Sequence, residues 1–170
     1  DMGRVYVLGS LNIDTTYYME QLPEKGMTVS AARSSRAAGG KGLNQAAAAC
    51  WAGADTALIG AVGDDENGAV LRDVLSRYPI DLKRLRRLNK PTGTAVIFVD
   101  AQGGNLIVVD GGANRYVPKE PAGFRTGDWL TAQLETNMDA VLFYFQEASR
   151  AGAKTALNLS PYREVPPELL

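Results

Sequence analysis

Gly39-Gly40-Lys41-Gly42-Leu43-Asn44-Gln45, followed by alanines at 46–49, places small and flexible positions directly before a strong helix former. Glycines there let backbone N–H groups come close to a ligand, because no Cβ intervenes. The helix they open offers unpaired N–H groups and a positive dipole end at the same spot. Lys41 adds a mobile point charge, and Asn44 adds a donor and an acceptor one turn in. This set suits a ligand rich in oxygens, a sugar or a phosphate. The same residues also make a plain tight loop entering an Ala-rich helix, and local chemistry weighs the two readings evenly.

Two familiar phosphate loops are excluded. A Walker A loop needs Ser or Thr after Gly-Lys, and Gly42 follows Lys41. A dinucleotide fingerprint needs a third glycine where Gln45 stands. Asn12 and Asp14 follow a short apolar run, Arg4 to Leu8, that reads as a buried parallel strand. Two apart in an extended segment, they point to one side and can grip adjacent hydroxyls. An Asx turn ending the strand is the alternative. Glu135 falls at the end of another strand, expected over 129–134. Carboxyl ends of strands are where open α/β sheets bind ligands, although Glu135 can equally cap the next helix. The chain has no histidine, so any general base is a carboxylate, Lys, Tyr or thiol.

These residues need a scaffold, and 170 residues suffice for one core burying roughly 70 % of the unfolded surface. The net charge of -1 gives no basic excess for nucleic acid. No apolar run reaches the roughly 18 residues of a membrane helix, and no secretory signal opens the chain, so a cytoplasmic protein is expected. Asp1 reads as an addition before a natural start at Met2. Cys50, the lone cysteine, is expected to be a small buried side chain. Helices are expected at 43–52, 66–77 and 138–152, with parallel strands at 4–8, 56–62, 129–134 and 154–159. Asp64 and Asp65 read as capping residues of the second helix. Segments 15–19 with 28–34, and 94–99 with 106–109, have turn chemistry but no helix between them, so each forms an antiparallel pair. Leu82 to Leu88, with Lys83, Arg84, Arg86 and Arg87, reads as a solvated edge or short helix. The order is that of an α/β fold with a mainly parallel sheet. No linker or repeat divides it, so 1–170 is expected to be one domain, incomplete at its C-terminus.

Gly39-Gly40-Lys41-Gly42, Asn44, Ala46, Gly53 and Gly63 fix eight positions over twenty-five residues. In that spacing the chain resembles the ribokinase (PfkB) family of sugar kinases. Gly9-Ser10-Leu11-Asn12-Ile13-Asp14, Thr92-Gly93-Thr94-Ala95, Gln133-Leu134-Glu135 and Ala156-Leu157-Asn158 extend the resemblance along the chain. It implies a three-layer αβα core with a small β-sheet lid built from about 15–34 and 93–110. It implies transfer of the γ-phosphoryl of ATP to a sugar hydroxyl, with Mg²⁺ and often a monovalent cation such as K⁺. By resemblance Asn12, Asp14, Gly39, Gly40, Lys41, Gly42, Asn44 and Glu135 match sugar-binding positions. Lids of two family subunits clasp each other, so a homodimer is implied.

The family's second signature, Gly-Ala-Gly-Asp at a helix N-terminus, does not occur in these residues. Its Asp is the family's general base and is expected beyond Leu170, together with most of the ATP site. The chain therefore reads as the sugar-binding half of a ribose-type kinase, inactive by itself. The alternatives are a non-catalytic sugar-binding fragment, or a related kinase for fructose, a phosphosugar, a ketodeoxy sugar acid or a nucleoside. Lys41 within Gly-Gly-Lys-Gly favours a small unphosphorylated sugar.

Overall fold

Val5–Leu8 (β1) is the central strand, and its residues alternate between two cores. The computed structural model describes residues 3–169; the expected start at Met2 and whatever follows from Leu170 lie outside them. Thr56–Gly63 (β4) and Trp129–Ala132 (β8) flank β1, both parallel to it. Ile80–Leu88 (β5) and Lys154–Leu157 (β9) complete a five-stranded parallel sheet in the order β5-β4-β1-β8-β9. Helices Lys41–Trp51 (α1) and Glu66–Ser76 (α2) cover one face, and Met138–Arg150 (α3) covers the other. Val7, Leu58, Val62, Leu43, Leu71 and Leu75 pack on the first face. Tyr6, Leu8, Ile59, Leu130, Val141 and Tyr144 pack on the second. Every residue of β4 is buried, which is why its sequence shows a run of apolar and small residues rather than alternation.

A second sheet stands apart. Asn12–Tyr18 (β2), Arg33–Gly39 (β3), Gly93–Val99 (β6) and Asn105–Asp110 (β7) pair in the order β3-β2-β6-β7. β2 is antiparallel to β3 and parallel to β6, and β6 is antiparallel to β7. A short 3-10 turn, Gly112–Tyr116, returns the chain to the first sheet.

Several expected boundaries are corrected. Strand β2 starts at Asn12, not near 15, so Asn12 and Asp14 belong to the second sheet itself. Residues 28–32 form no strand; β3 starts at Arg33 and runs into Gly39. Its first five residues are exposed, so no apolar alternation marked it. The basic stretch is the edge strand β5, not a short helix. Arg84 donates to the Ala122 carbonyl, Arg86 pairs with Glu120, and between them Leu85 is buried. Strands β8 and β9 stop short of the expected 134 and 159. Cys50 is only half-buried, at the margin of the first core.

Candidate functional site

The order β4-β1-β8 makes the boundary between β1 and β8 a topological switch point: the chain builds outward from β1 through β4 to β5, and later from β8 to β9 on the other side, which opens a crevice at the carboxyl ends. Ser10 and Asn12 leave β1 there, and Glu135 leaves β8 three residues past its end. The start of α1 meets both.

Glu135 is the hub. Its Oε1 accepts from Lys41 Nζ at 2.8 Å, and its Oε2 accepts from Ser10 Oγ at 2.5 Å. The Lys41 backbone N–H reaches Oε2 at 3.4 Å, and Gly42 N–H reaches Ser10 Oγ at 3.4 Å. Leu43 N–H donates to the Ser10 carbonyl at 3.0 Å. The expectation of free N–H groups at the start of α1 is therefore corrected. A carboxylate of the protein and Ser10 already occupy them, as the helix dipole favours. Lys41 likewise is no free point charge but half of a partly buried ion pair. Burial pushes the Glu135 carboxyl up, yet Lys41 and Ser10 outweigh it and hold Glu135 below its ordinary value.

The glycines are there for close approach. A Cβ on Gly42 would lie 2.3 Å from the Gly9 carbonyl carbon, and one on Gly39 would lie 2.1 Å from Asp14 Oδ2. Gly40 adds a backbone demand, with φ 95° as the N-cap of α1.

Asn12 and Asp14 share one face of β2, with register partners Gly39 and Gly93 for Asn12 and Ala37 and Ala95 for Asp14. Asp14 Oδ1 is sealed from water and has no hydrogen-bond partner. Burial raises the Asp14 carboxyl above its ordinary value, Glu135 adds to the rise, and Lys41 opposes it. Along the same face the ladder brings Ala95, Val109 and Ile107 beside Asp14. This face thus combines two polar groups with an apolar floor.

The structure gathers Asn12, Asp14, Gly39, Gly40, Lys41, Gly42 and Glu135 at one crevice. The Asn44 side chain, one turn into α1, is exposed and has no hydrogen bond among the described residues. Glu135 does not cap α3, and neither does the side chain of its N-cap Asn137. Asp65 does cap α2, accepting from Gly68 N–H at 2.8 Å, and also holds Thr92 through its backbone and hydroxyl. Sequence reasoning missed Ser10 as the second grip on Glu135. It also missed Asn114, which binds Asn12; these partners lie 125 and 102 positions apart, beyond any local pattern.

A cleft beside Glu135 is lined by Val109, Gly111, Arg115, Thr136 and Arg163. A roomier one lies at the opposite ends of the strands. There Arg4 bridges Asp55 and Asp81, an ion-pair cluster that ties loops together. The crevice at the carboxyl ends carries the unpartnered buried oxygen and is the stronger candidate. No helix among the described residues is long and apolar enough to cross a membrane.

Comparison with known proteins agrees with this fold. A ribokinase of Staphylococcus aureus is 33% identical over 175 residues, covering 99% of this chain and 58% of that protein. The ribokinase of Cryptococcus neoformans, solved in complex with ADP, superposes with a TM-score of 0.86 at 33% identity, over 96% of this chain and 52% of that one. The Arabidopsis thaliana ribokinase complexed with ribose and ATP gives a TM-score of 0.82 at 27% identity, over 99% of this chain and 57% of that one. The chain spans about half the length of these relatives. The family model for pfkB family carbohydrate kinases matches residues 2–126. The chain belongs to the pfkB family of carbohydrate kinases.

Proposed function

We propose that this chain holds the sugar of an ATP-dependent sugar kinase, with ribose as the favoured substrate. The observation that carries the reading is Asp14: a carboxylate with a raised pKa, beside Glu135 and Lys41 at the crevice, with one buried oxygen that no group of the protein pairs. An acceptor left bare at such cost is suited to a hydroxyl-bearing ligand. Ionised Asp14 accepts from two sugar hydroxyls, and Asn12 contributes a third polar contact. The Lys41–Glu135 pair walls the crevice with both charges already matched, which suits a neutral sugar better than a phosphosugar. Ala95, Ile107 and Val109 cover the sugar's apolar face and exclude water, so the second sheet serves as a lid. The relatives bound to ADP, and to ribose with ATP, support the phosphoryl donor and the sugar.

Phosphoryl transfer needs a γ-phosphate held in line and its charge neutralised. Among the described residues no group of three or more His, Cys, Asp or Glu is placed to hold a metal ion. What these residues do is bind, orient and desolvate the sugar. We place the protein in the cytoplasm, where ATP and a lone thiol belong, and expect a homodimer through the second sheet.

Calorimetry tests the reading. Ribose should bind the chain, and Asp14→Ala should weaken it by more than about tenfold, since a hydrogen bond to a charged group is worth roughly 1.5–3 kcal/mol. Unchanged affinity in that variant removes Asp14 from the site. A coupled ATP-consumption assay over ribose, fructose, a nucleoside and a sugar phosphate, on the product of the whole reading frame, tests the substrate.

A further inference from the structure

Asn114 lies in the 3-10 turn after β7 and is 1% exposed. Its Oδ1 accepts from Leu11 N–H at 3.0 Å, and its Nδ2 donates to the Leu11 carbonyl at 3.1 Å. The second Nδ2 hydrogen goes to Asn12 Oδ1 at 2.8 Å. Every polar valence of the amide that faces this link is used. A flip of Asn114 would set two donors against each other at Leu11 N–H and two acceptors at its carbonyl. The backbone therefore fixes the orientation of Asn114, and Asn114 in turn fixes that of Asn12. With Oδ1 taken, Asn12 has Nδ2 left, for which the described residues provide no acceptor. Leu11 lies in the link between β1 of the core and β2 of the second sheet, so the same amide holds the linking peptide. Gly93 leaves the room: a Cβ there would lie 2.2 Å from Asn114 Nδ2 and 2.3 Å from Asn12 Oδ1.

We propose that Asn114 is a positioning residue that sets the hydrogen-bond polarity of the sugar site. It locks Asn12 as a donor, opposite the acceptor Asp14. The site then reads an acceptor oxygen of the sugar at one position and hydroxyl donors at the next. This rests on the reading of Asn12 as a sugar contact.

The test is a cycle of four proteins: the unmodified chain, Asn12→Ala, Asn114→Asp and the double variant. Asn114→Asp keeps an acceptor for Leu11 N–H but removes both donors, so Asn12 must turn to donate to the new carboxylate. Ribose affinity by calorimetry should fall on the order of tenfold, the worth of one hydrogen bond. In the Asn12→Ala background the same substitution should change affinity less than about twofold, because the side chain through which Asn114 acts is gone. An equal loss of affinity in both backgrounds makes Asn114 merely structural and overturns the proposal. Unchanged affinity in Asn12→Ala alone instead sinks the sugar-contact reading, and the proposal with it. Should Asn114→Asp fail to fold, amide NMR on the unmodified chain decides. The Asn12 side-chain NH₂ signals should shift on adding ribose while those of Asn114 stay protected from exchange. Ribose binding without a shift at Asn12 overturns the proposal.

Discussion

Asp14 and Glu135 are two carboxylates at one crevice with opposite electrostatic fates. Glu135 has Lys41 and Ser10 as partners and sits below its ordinary pKa; Asp14 has a bare oxygen and sits above it. Their linkage to folding therefore differs in sign. Glu135 contributes stability that is present above its unfolded pKa and lost as pH falls through its lower folded value. Asp14 carries a cost that is fully present above its raised folded pKa and relieved as pH falls toward the unfolded value. Asp14→Asn should consequently raise the unfolding midpoint at neutral pH while lowering ribose affinity more than about tenfold, an exchange of binding for stability. Thermal melts and calorimetry on the same preparation check this, and a lower midpoint would show that Asp14 is not strained. Ribose affinity of the unmodified chain should also fall with acid at a pH above the ordinary Asp value of 3.8, because the bound sugar needs the ionised form. Affinity flat down to that value would sink the assignment.

Among elements, the start of α1 depends on close approach rather than on helix propensity. Gly→Ala inside a helix ordinarily gains about 1 kcal/mol. At Gly42 the new Cβ would lie within 2.5 Å of Gly9 and Ser10 backbone atoms, so the sign reverses. Overpacking of this kind costs roughly 1–3 kcal/mol, and Gly42→Ala should destabilise by about that amount in a denaturant titration. A neutral or stabilising result would mean that α1 can move off β1. The glycine pattern made this loop legible from sequence, since spacing over a short stretch is local information. The core strands were legible for a similar reason, being apolar runs bounded by turn residues. Other features were not. Asn12-Ile13-Asp14 has turn-like composition, yet it forms the first residues of β2 because Gly39 and Gly93 pair on either side. Strand β5 carries leucines three apart, a helical spacing, and is held extended by β4 on one side with Glu120 bracing Arg86. The site's wiring was least legible: Lys41 reaches Glu135 and Asn114 reaches Asn12 only after the fold has closed.

For the molecule as a whole, the second sheet has two faces with different jobs. One carries Asp14, Ala95, Ile107 and Val109 toward the crevice. The other carries Tyr17 stacked on Phe98, with Leu106 and Val108 beside them, and Val108 is 63% exposed. β7 is also an edge strand of that sheet. An exposed apolar strip on an edge strand calls for a cover, and a second copy of the same sheet is self-complementary to it. Light scattering should give twice the chain mass, and Val108→Asp should give a monomer that still binds ribose. A monomeric unmodified chain at micromolar concentration would leave the strip without its proposed partner. The two faces lead to a final expectation. The described residues supply the proposed sugar contacts, a cover and a matched charge pair, but neither a Walker A loop nor a Gly-Ala-Gly-Asp stretch for a phosphate. At the crevice, the start of α1 has its donors committed to Glu135 and Ser10. In-line transfer from ATP requires such donors, and a base near the attacking hydroxyl adds about 10²–10⁴ in rate. These residues alone should therefore bind ribose, respond to Asp14→Ala, and form no sugar phosphate from ATP. Radiolabelled phosphate appearing in ribose with the purified 170-residue chain, and disappearing with Asp14→Ala, would mean that a phosphoryl site exists within them after all.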